Sequence, residues 1–230
     1  MISVIIPTFN EKRNIKKIHK KLSKNKIISE VIFVDDNSPD GTFLQIKNLK
    51  NKKKFKGYLR LSKEKDLSKS IMYGVKKAKE KNILIMDGDL QHDARYINIL
   101  YKKYFSTKCD LVVGSRFFNK NILGNLGIIR SIFSNFIILL INIFFEKKTS
   151  DPLSGFFICK KRFIVNYEKL FFLKGYKILF DVLYNGSKNI KVEEIGIVFK
   201  KRYSEKSKFK FKIIWLFLRQ ILFSKSIVKK

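Results

Sequence analysis

The sequence predicts an α/β fold with a mostly parallel sheet flanked by helices. Short apolar runs of strand length recur along the chain, and amphipathic segments of helix length separate them. Turn-forming and acidic residues directly follow several of these runs. Strands that alternate with helices form a doubly wound sheet, and such sheets bind ligands beyond the carboxyl ends of their strands. We therefore expect the functional residues at that edge.

The strands are identified by apolar runs that turn residues interrupt. Ser3–Pro7 ends at a proline, and the buried run 31–34 ends in the turn residues DDNSPDGT. A continuous apolar run without alternation is typical of a strand that is covered on both faces. The expected strands are residues 3–7, 31–34, 58–61, 83–86, 111–114 and 192–199.

The helices are identified by apolar residues at helical spacing. The first has Ile15, Ile18 and Leu22 on one face and lysines on the other. Asp40 or Thr42 can open the second helix, because both side chains can cap a helix amino terminus. The next two expected helices cover residues 68–79 and the region of Ile97, Leu100 and Tyr104.

The last third of the chain has a different character. Residues 126–145 are strongly apolar but contain Arg130, Asn135 and Asn142, which makes a membrane-spanning helix a poor interpretation. We expect either an amphipathic helix at a membrane interface or a helix that caps the sheet. The sequence thus predicts one folded domain over residues 1–208. A basic amphipathic tail over residues 209–230 would lie on an anionic membrane or pack on the domain.

Composition narrows the function. The 230 residues carry a formal net charge of +31, which predicts attraction to phosphorylated substrates, an anionic membrane or nucleic acid. The lysines are spread along the chain and no nucleic-acid-binding module is recognisable, so we expect no nucleic-acid partner. Two cysteines and two histidines argue against a disulfide framework and a zinc site. The sequence contains no recognisable grouping of Ser, His and Asp, so we do not expect covalent hydrolase chemistry.

The segment NILIMDGDLQHD, residues 82–93, predicts a metal site. A buried strand ends in Asp87, Gly88, Asp89 and Gln91, and along an extended chain the three oxygen-bearing side chains would project to one side. Carboxylate and amide oxygens suit Mg²⁺ or Mn²⁺, with a bound diphosphate completing the shell. Gly88 would let a ligand approach the main chain. An ordinary exit from strand to loop is the alternative.

The motifs SVIIPTFNE, VIFVDDNSPDGT, ILIMDGDLQHD, LVVGSRF and DPLSGFF occur in an order that resembles the dolichol-phosphate mannose synthase group. Members of that group are family 2 glycosyltransferases with the GT-A fold, and the resemblance covers roughly residues 2–208. It implies metal-dependent transfer of a sugar, with inversion, from a nucleotide donor to a polyprenyl phosphate. It also implies a peripheral position at the cytoplasmic face of the membrane.

The resemblance implies roles for individual residues. Asp87 and Gly88 would meet the donor, and Asp89 and Gln91 would bind the metal on its diphosphate. The residues implied for nucleotide-sugar binding are Pro7, Phe9, Glu11, Val34, Asp36, Met86, Asp87, Gly88, Asp89, Arg202 and Lys208. The residues implied for catalysis are Asp89, Arg116 and Arg130, of which the two arginines would bind phosphate groups.

The sequence departs from the group's pattern at two places. Glu205 stands where the closing element around Arg202 and Lys208 usually has glycine. Asp66-Leu67-Ser68 stands where many members have Gly-Leu-Gly. Both departures leave the detailed donor contacts open.

A phosphate acceptor fits the residues better than a hydroxyl acceptor. Its second pKa is about 6, so it is already anionic near neutral pH and a dedicated base is dispensable. Mannose from GDP-mannose is the expected donor sugar, and glucose from UDP-glucose is an alternative. Transfer to a glycan hydroxyl and a basic binding protein without catalysis are further alternatives. The sequence leaves open whether a separate small membrane protein anchors this chain.

Overall fold

The computed structural model describes residues 1–62, 64–118, 128–174, 177–199 and 211–228, and the side chains of 128–133, 211–214, 225, 227 and 228 lie outside the description. The described residues form a seven-stranded sheet in the order β3-β2-β1-β4-β6-β5-β7. The strands are β1 (Ile2–Thr8), β2 (Ile28–Asp35), β3 (Phe55–Leu59), β4 (Asn82–Ile85), β5 (Leu111–Ser115), β6 (Phe157–Lys160) and β7 (Val192–Gly196).

The sheet is mostly parallel, as the sequence predicts. β1 pairs in parallel with β2 and β4, β2 with β3, and β5 with β7. β6 runs antiparallel between β4 and β5. β6 is not among the strands predicted from the sequence. The predicted third strand is 58–61, whereas β3 is Phe55–Leu59.

The helices cover both faces of the sheet. They are α1 (Lys12–Leu22), α2 (Thr42–Lys47), α3 (Leu67–Lys77), α4 (Arg95–Ser106), α5 (Ile128–Phe144), α6 (Arg162–Val165), α7 (Ile178–Tyr184) and α8 (Phe211–Val228). Alternate residues of each strand point to opposite faces, which gives two apolar cores. One core joins the sheet to α1, α2 and α4, and the other joins it to α3, α5, α6, α7 and α8.

The two apolar helices of the second core each have a buried side and an exposed side. Ile137 and Ile141 of α5 are buried, as are Phe217 and Ile221 of α8. The opposite sides expose large apolar side chains, namely Phe136, Leu139, Ile143, Trp215, Leu218 and Leu222. Both helices therefore pack on the domain and still present apolar surface. Among the described residues, no helix combines the length and the apolar character needed to cross a membrane.

Candidate active site

The carboxyl ends of β1, β2, β4 and β5 lie along one edge of the sheet. β1 ends at Thr8, next to Asp35 at the end of β2, and these two residues are partners in the parallel register. β4 ends at Ile85, beside Ile5 of β1, and β5 ends at Ser115. Because parallel strands place their following loops at the same edge, the acidic loop after β4 faces the loops after β1 and β2.

The loop after β4 is a turn and not the extended chain assumed in the sequence analysis. Residues 88–90 form the turn, and Leu90 has a positive φ of 64°. Asp89 closes it, because its Oδ1 accepts a hydrogen bond from the Gln91 amide at 3.1 Å. The alternation of side chains along an extended strand is therefore the wrong explanation for a grouping of Asp87, Asp89 and Gln91. Asp89 and Gln91 lie next to each other because of the turn.

Gly88 packs closely against the end of β1. A Cβ atom there would lie 3.3 Å from the Pro7 carbonyl oxygen and 3.3 Å from Thr8 Cγ2. The glycine therefore lets the acidic loop lie close against the end of β1. The ligand approach expected from the sequence stays a prediction.

Asp87 lies against a second glycine, Gly155, which belongs to the DPLSGFF motif. A Cβ atom on Gly155 would lie 2.7 Å and 2.9 Å from the two carboxylate oxygens of Asp87. The absence of a side chain at 155 leaves room for this carboxylate. The loop after β4 and the segment before β6 therefore share one surface.

His92 lies behind the acidic loop. Its ring is buried and stacks on Phe156, with ring centroids 4.8 Å apart and an interplanar angle of 13°. The edge of the Phe199 ring lies against it, at 5.4 Å between centroids. Its Nδ1 accepts the amide hydrogen of Asp87 at 3.3 Å. Burial lowers the pKa of His92, against the opposing effect of Asp87 and Asp89, so the imidazole is neutral near pH 7.

Arg116 forms a buried ion pair with Asp151. Its Nε and Nη2 donate to Asp151 Oδ2 and Oδ1, both at 2.7 Å, and its amide donates to Oδ2 at 3.1 Å. Burial alone would raise the pKa of Asp151, but the Arg116 charge and hydrogen bonds outweigh burial and hold it below the ordinary value. The guanidinium also lies 5.6 Å from the centroid of Phe199. Arg116 is thus fixed in orientation at the end of β5.

The two residues that precede Asp151 are held by Glu194 of β7. The Glu194 carboxylate accepts hydrogen bonds from Thr149 Oγ1 at 2.7 Å and from the Ser150 amide and hydroxyl, both at 2.9 Å. Ser150 Oγ in turn lies 2.6 Å from Ser115 Oγ. These contacts fix the loop that carries Asp151 against the end of β5.

The two aspartates at the end of β2 have different surroundings. Asp35 accepts hydrogen bonds from Thr8 Oγ1 at 3.0 Å and from the Ser38 amide and hydroxyl at 2.9 Å and 2.6 Å. Asp36 pairs with Arg60, at 2.6 Å between Oδ1 and Nη2, and its Oδ2 accepts the Asp66 amide at 2.7 Å. Asp35 therefore organises the turn, and Asp36 joins β2 to the start of α3.

Asp66, one of the departures from the group's pattern, caps α3. Its side chain accepts a hydrogen bond from the Lys69 amide at 3.1 Å. This acceptor satisfies an amide that the helix itself leaves without a partner. Asp66 thus replaces the usual glycine with a helix cap, and its main chain contacts the carboxylate of Asp36.

The remaining residues implied for the nucleoside lie near the end of β1. Phe9 is half-buried, with the Lys65 ammonium 5.6 Å from its ring centroid, and the Glu11 carboxylate accepts from Asn14 Nδ2 at 2.5 Å. Pro7, Val34 and Met86 are buried. Val34 packs against α3, because a Cβ atom on Gly74 would lie 3.0 Å from its Cγ2.

Several implied site residues lie outside the described part of the chain. These are Arg202, Lys208 and the departure Glu205, together with the side chain of Arg130 in α5. Their roles stay predictions. Phe199 is the last described residue before Arg202, and it contacts both His92 and Arg116.

The oxygen atoms at the acidic loop fit a divalent cation that is shared with a ligand. Asp87, Asp89 and Gln91 offer two carboxylates and an amide, which suit Mg²⁺ or Mn²⁺. Among the described residues no group of three or more His, Cys, Asp or Glu side chains forms a complete metal site. Such ions keep water and substrate phosphate oxygens in their shell, so a small donor set is sufficient.

Sequence reasoning missed three residues of this site. Asp151 was quoted only as part of a motif, and His92 and Arg60 were given no role. The partner of Arg116 is 35 positions away along the chain, so no local pattern reveals the pair. The position of Asp151 immediately before Pro152 in a polar turn was the one available signal.

Comparisons with known proteins identify the family of the chain. The model of the family described as glycosyl transferase family 2 matches residues 3–170. A dolichol-phosphate mannosyltransferase of Pyrococcus furiosus is 34% identical over 224 residues, which is 96% of this chain and 62% of that protein. The Saccharomyces cerevisiae dolichol-phosphate mannosyltransferase is 27% identical over 233 residues, covering 95% of this chain and 85% of the yeast protein. The chain thus spans under two thirds of the archaeal relative.

Solved structures show the same fold. Mannosyl-3-phosphoglycerate synthase from Rubrobacter xylanophilus superposes with a TM-score of 0.72 at 14% identity, covering 96% of this chain and 72% of that one. Glucosyl-3-phosphoglycerate synthase from Mycobacterium tuberculosis, in complex with Mn²⁺, UDP-glucose and phosphoglyceric acid, gives 0.70 at 14% identity, covering 96% and 79%. These neighbours have the GT-A fold predicted from the sequence. From the family match, which covers more than half of the chain, the chain belongs to glycosyl transferase family 2, and it is similar to the curated dolichol-phosphate mannosyltransferases.

Proposed function

We propose that the protein transfers a hexose, with inversion and with a divalent metal, from a nucleotide-sugar to a polyprenyl phosphate. The observation that carries this proposal is the position of the acidic loop 87–91 beside the buried Arg116–Asp151 pair. One part of the site offers oxygen ligands for a metal and its diphosphate, and the other offers a fixed cation. The mannosyltransferase relatives support the same reaction class.

The metal at Asp87, Asp89 and Gln91 would neutralise the leaving diphosphate. Arg116 would contribute positive charge where two phosphate groups must approach each other. Its pairing with Asp151 fixes the direction of the guanidinium and raises its pKa despite burial, so it stays charged. Arg130, Arg202 and Lys208 are proposed to add phosphate contacts.

A phosphate acceptor needs no general base at this site. The acceptor is already anionic at neutral pH, since its second pKa is about 6. The buried, neutral ring of His92 packs between Phe156 and Phe199, and its Nδ1 lone pair is already used by the Asp87 amide. It is therefore a poor candidate for accepting a proton from a hydroxyl.

The donor is proposed to be GDP-mannose, because the curated relatives are named mannosyltransferases. Phe9, Glu11 and Asp36 would hold its nucleoside at the ends of β1 and β2. UDP-glucose is the alternative, and a glycan hydroxyl is the alternative acceptor.

We also propose that the exposed apolar sides of α5 and α8 rest on an anionic membrane at its cytoplasmic face. Trp215 and Leu222 are 58% and 66% exposed, and Leu139 and Ile143 of α5 are 57% and 64% exposed. Large exposed side chains on helices of one layer are typical of interfacial helices, and nearby lysines would contact lipid phosphates.

The reaction is tested with purified protein, radiolabelled GDP-mannose or UDP-glucose, Mn²⁺ or Mg²⁺, and a polyprenyl phosphate. We expect metal-dependent label in the organic phase from one donor and its loss in Asp89→Ala. Asp110→Ala is the matched control, because Asp110 pairs with Lys160 on the opposite edge of the sheet. Metal-dependent nucleotide binding without transfer would indicate another acceptor. No nucleotide binding would contradict the enzyme proposal.

Membrane contact is tested by sedimentation with liposomes. Leu218→Asn with Leu222→Asn should reduce binding, and deletion of residues 209–230 should reduce it further. Leu44→Asn is the control, since Leu44 is 64% exposed on α2 in the opposite layer. Equal binding of all variants would remove α8 from the proposed membrane contact.

A further inference from the structure

His92 joins three parts of the proposed active site. His92 comes directly after the acidic loop along the chain. Its ring stacks on Phe156 of the segment before β6 and contacts Phe199 after β7. The residue is 4% exposed, so these contacts enclose it. A side chain in this position affects how the three segments lie relative to one another.

Stacking alone does not account for an imidazole at this position. A phenylalanine ring could also make aromatic contacts with Phe156 and Phe199 and would avoid burying a polar group. The difference is Nδ1, which accepts the Asp87 amide hydrogen at 3.3 Å. That amide lies just beyond β4, where the sheet no longer supplies an acceptor.

The hydrogen bond also defines the tautomer. A nitrogen that accepts a hydrogen bond carries no proton, so the neutral ring has its proton on Nε2. The ring therefore acts as a fixed acceptor for the main chain of Asp87.

The position of the Asp87 main chain determines where its carboxylate lies. This carboxylate occupies the space left free by Gly155, which allows little variation in its direction. The hydrogen bond from the Asp87 amide to His92 and the close contact with Gly155 together fix one orientation of the Asp87 carboxylate.

We propose that His92 is a positioning residue, whose Nδ1 holds the Asp87 main chain so that the Asp87 carboxylate meets the sugar-nucleotide donor. This inference rests on the proposed function for the identity of the ligand. It assigns His92 no proton transfer. Its aromatic contacts add stability, and its Nδ1 adds donor affinity.

Two substitutions separate these two contributions. His92→Phe keeps the ring stack and removes the acceptor. His92→Asn removes the stack but places its Oδ1 close to the position of the imidazole Nδ1. We expect His92→Asn to be the less stable variant and His92→Phe to be the one with the weaker donor site.

The measurements are Tm, the KM for the donor, kcat, and hydrogen exchange of the Asp87 amide by NMR. We expect His92→Phe to raise the donor KM at least about tenfold, with a smaller change in kcat, and to accelerate exchange at Asp87. His92→Asn should retain slow exchange and a donor KM within a few-fold of wild type, despite its lower Tm.

If His92 has a purely structural role, the donor KM should follow Tm, and His92→Asn, the less stable variant, should have the higher donor KM. That result, or an unchanged donor KM and Asp87 exchange in His92→Phe, would overturn the proposal. The exchange measurement needs no substrate. Suppose that the protein transfers no sugar, and that the Asp87 amide exchanges faster in His92→Phe but not in His92→Asn. The proposed function would then fail, and the positioning role of His92 would stand.

Discussion

At the scale of single residues, the Arg116–Asp151 pair combines stability with function. Asp151→Asn would leave a buried guanidinium without its countercharge, and breaking such a pair costs about 3–5 kcal/mol. We expect a loss of that size in the free energy of unfolding, measured with urea, together with loss of transfer activity. Glu168→Gln is the control, because its pair with Lys76 is exposed and should be worth under about 1 kcal/mol. Equal losses in both variants would contradict the distinction.

Gly155 allows a test that separates donor affinity from stability. In Gly155→Ala, the new Cβ would lie 2.7 Å and 2.9 Å from the two Asp87 carboxylate oxygens and would force this carboxylate out of its present orientation. We expect a modest loss of stability, of about 1–3 kcal/mol, and a larger loss of metal-dependent donor affinity. The measurements are Tm and the donor Kd in the presence of Mn²⁺.

Gly57→Ala is the matched control for Gly155→Ala. Its Cβ would lie 2.5 Å from Ile46 Cγ2, between β3 and α2 and away from the acidic loop. It should lower Tm to a similar extent and leave the donor Kd unchanged. A similar change in Kd for both variants would show that affinity only follows stability.

Residue types at the site were more predictable than their partners. Asp87, Asp89 and Gln91 are recognisable because they follow an apolar run within a few positions. Asp151, His92 and Arg60 act through residues brought near by the sheet, such as Arg116 and Asp36. The turn at Leu90, with its positive φ, could not be inferred because leucine rarely adopts that conformation.

At the scale of elements, α7 and α8 pack around a buried carboxylate. Asp181 of α7 is fully buried and accepts hydrogen bonds from the Phe172 amide at 3.2 Å and Asn185 Nδ2 at 2.7 Å. Gln220 of α8 lies near it and donates from Nε2 to the Lys177 carbonyl oxygen at 3.3 Å, immediately before α7. Burial nevertheless raises the pKa of Asp181 from 3.8 to about 6. We therefore expect the packing of α8 on α7 to depend on the protonation state of Asp181.

The sign of the resulting pH dependence follows from linkage. A folded-state pKa above the unfolded value means that the carboxyl group stabilises the fold at low pH and that this stability is lost as pH rises through about 6. Asp181→Asn removes this dependence. We expect the unfolding free energy of the variant, relative to wild type, to increase by about 1–2 kcal/mol from about pH 5 to about pH 8.

Asp110→Asn is the control with the opposite sign. Although burial opposes it, hydrogen bonds from Lys160 and Lys191 hold the pKa of Asp110 below its ordinary value. Wild type should therefore lose stability relative to this variant as pH falls towards that value. Parallel pH profiles for Asp181→Asn and wild type would contradict the assignment of the raised pKa to Asp181.

Element prediction succeeded where the pattern was local. The strands from β1 to β5 lie in or near the predicted runs, because each run is apolar and bounded by turn residues. β6 was missed because its insertion between β4 and β5 depends on antiparallel pairing with Ile83–Ile85 and Leu111–Val113, which no local pattern specifies. α7 was missed for a similar reason, since it is a short helix that is buried on all sides and lacks an amphipathic period.

At the scale of the whole molecule, the net charge of +31 and the apolar sides of α5 and α8 act at different ranges. Charge attracts the protein to any anionic surface over about 10 Å at about 0.1 M salt. Apolar side chains contribute only when they enter the interface, and their contribution does not depend on ionic screening. A membrane contact that uses both should separate into a salt-sensitive part and a salt-resistant part.

This separation can be measured with vesicles of anionic and of neutral lipid. Raising the salt concentration from about 0.1 M to about 0.5 M should weaken binding to anionic vesicles at least about tenfold, because screening shortens the range of attraction. The binding that remains should match the binding to neutral vesicles, and Leu218→Asn with Leu222→Asn should reduce it. If this double variant leaves the salt-resistant binding unchanged, α8 is excluded as an apolar contact. Binding that salt leaves unchanged would exclude the dispersed lysines as the main attraction.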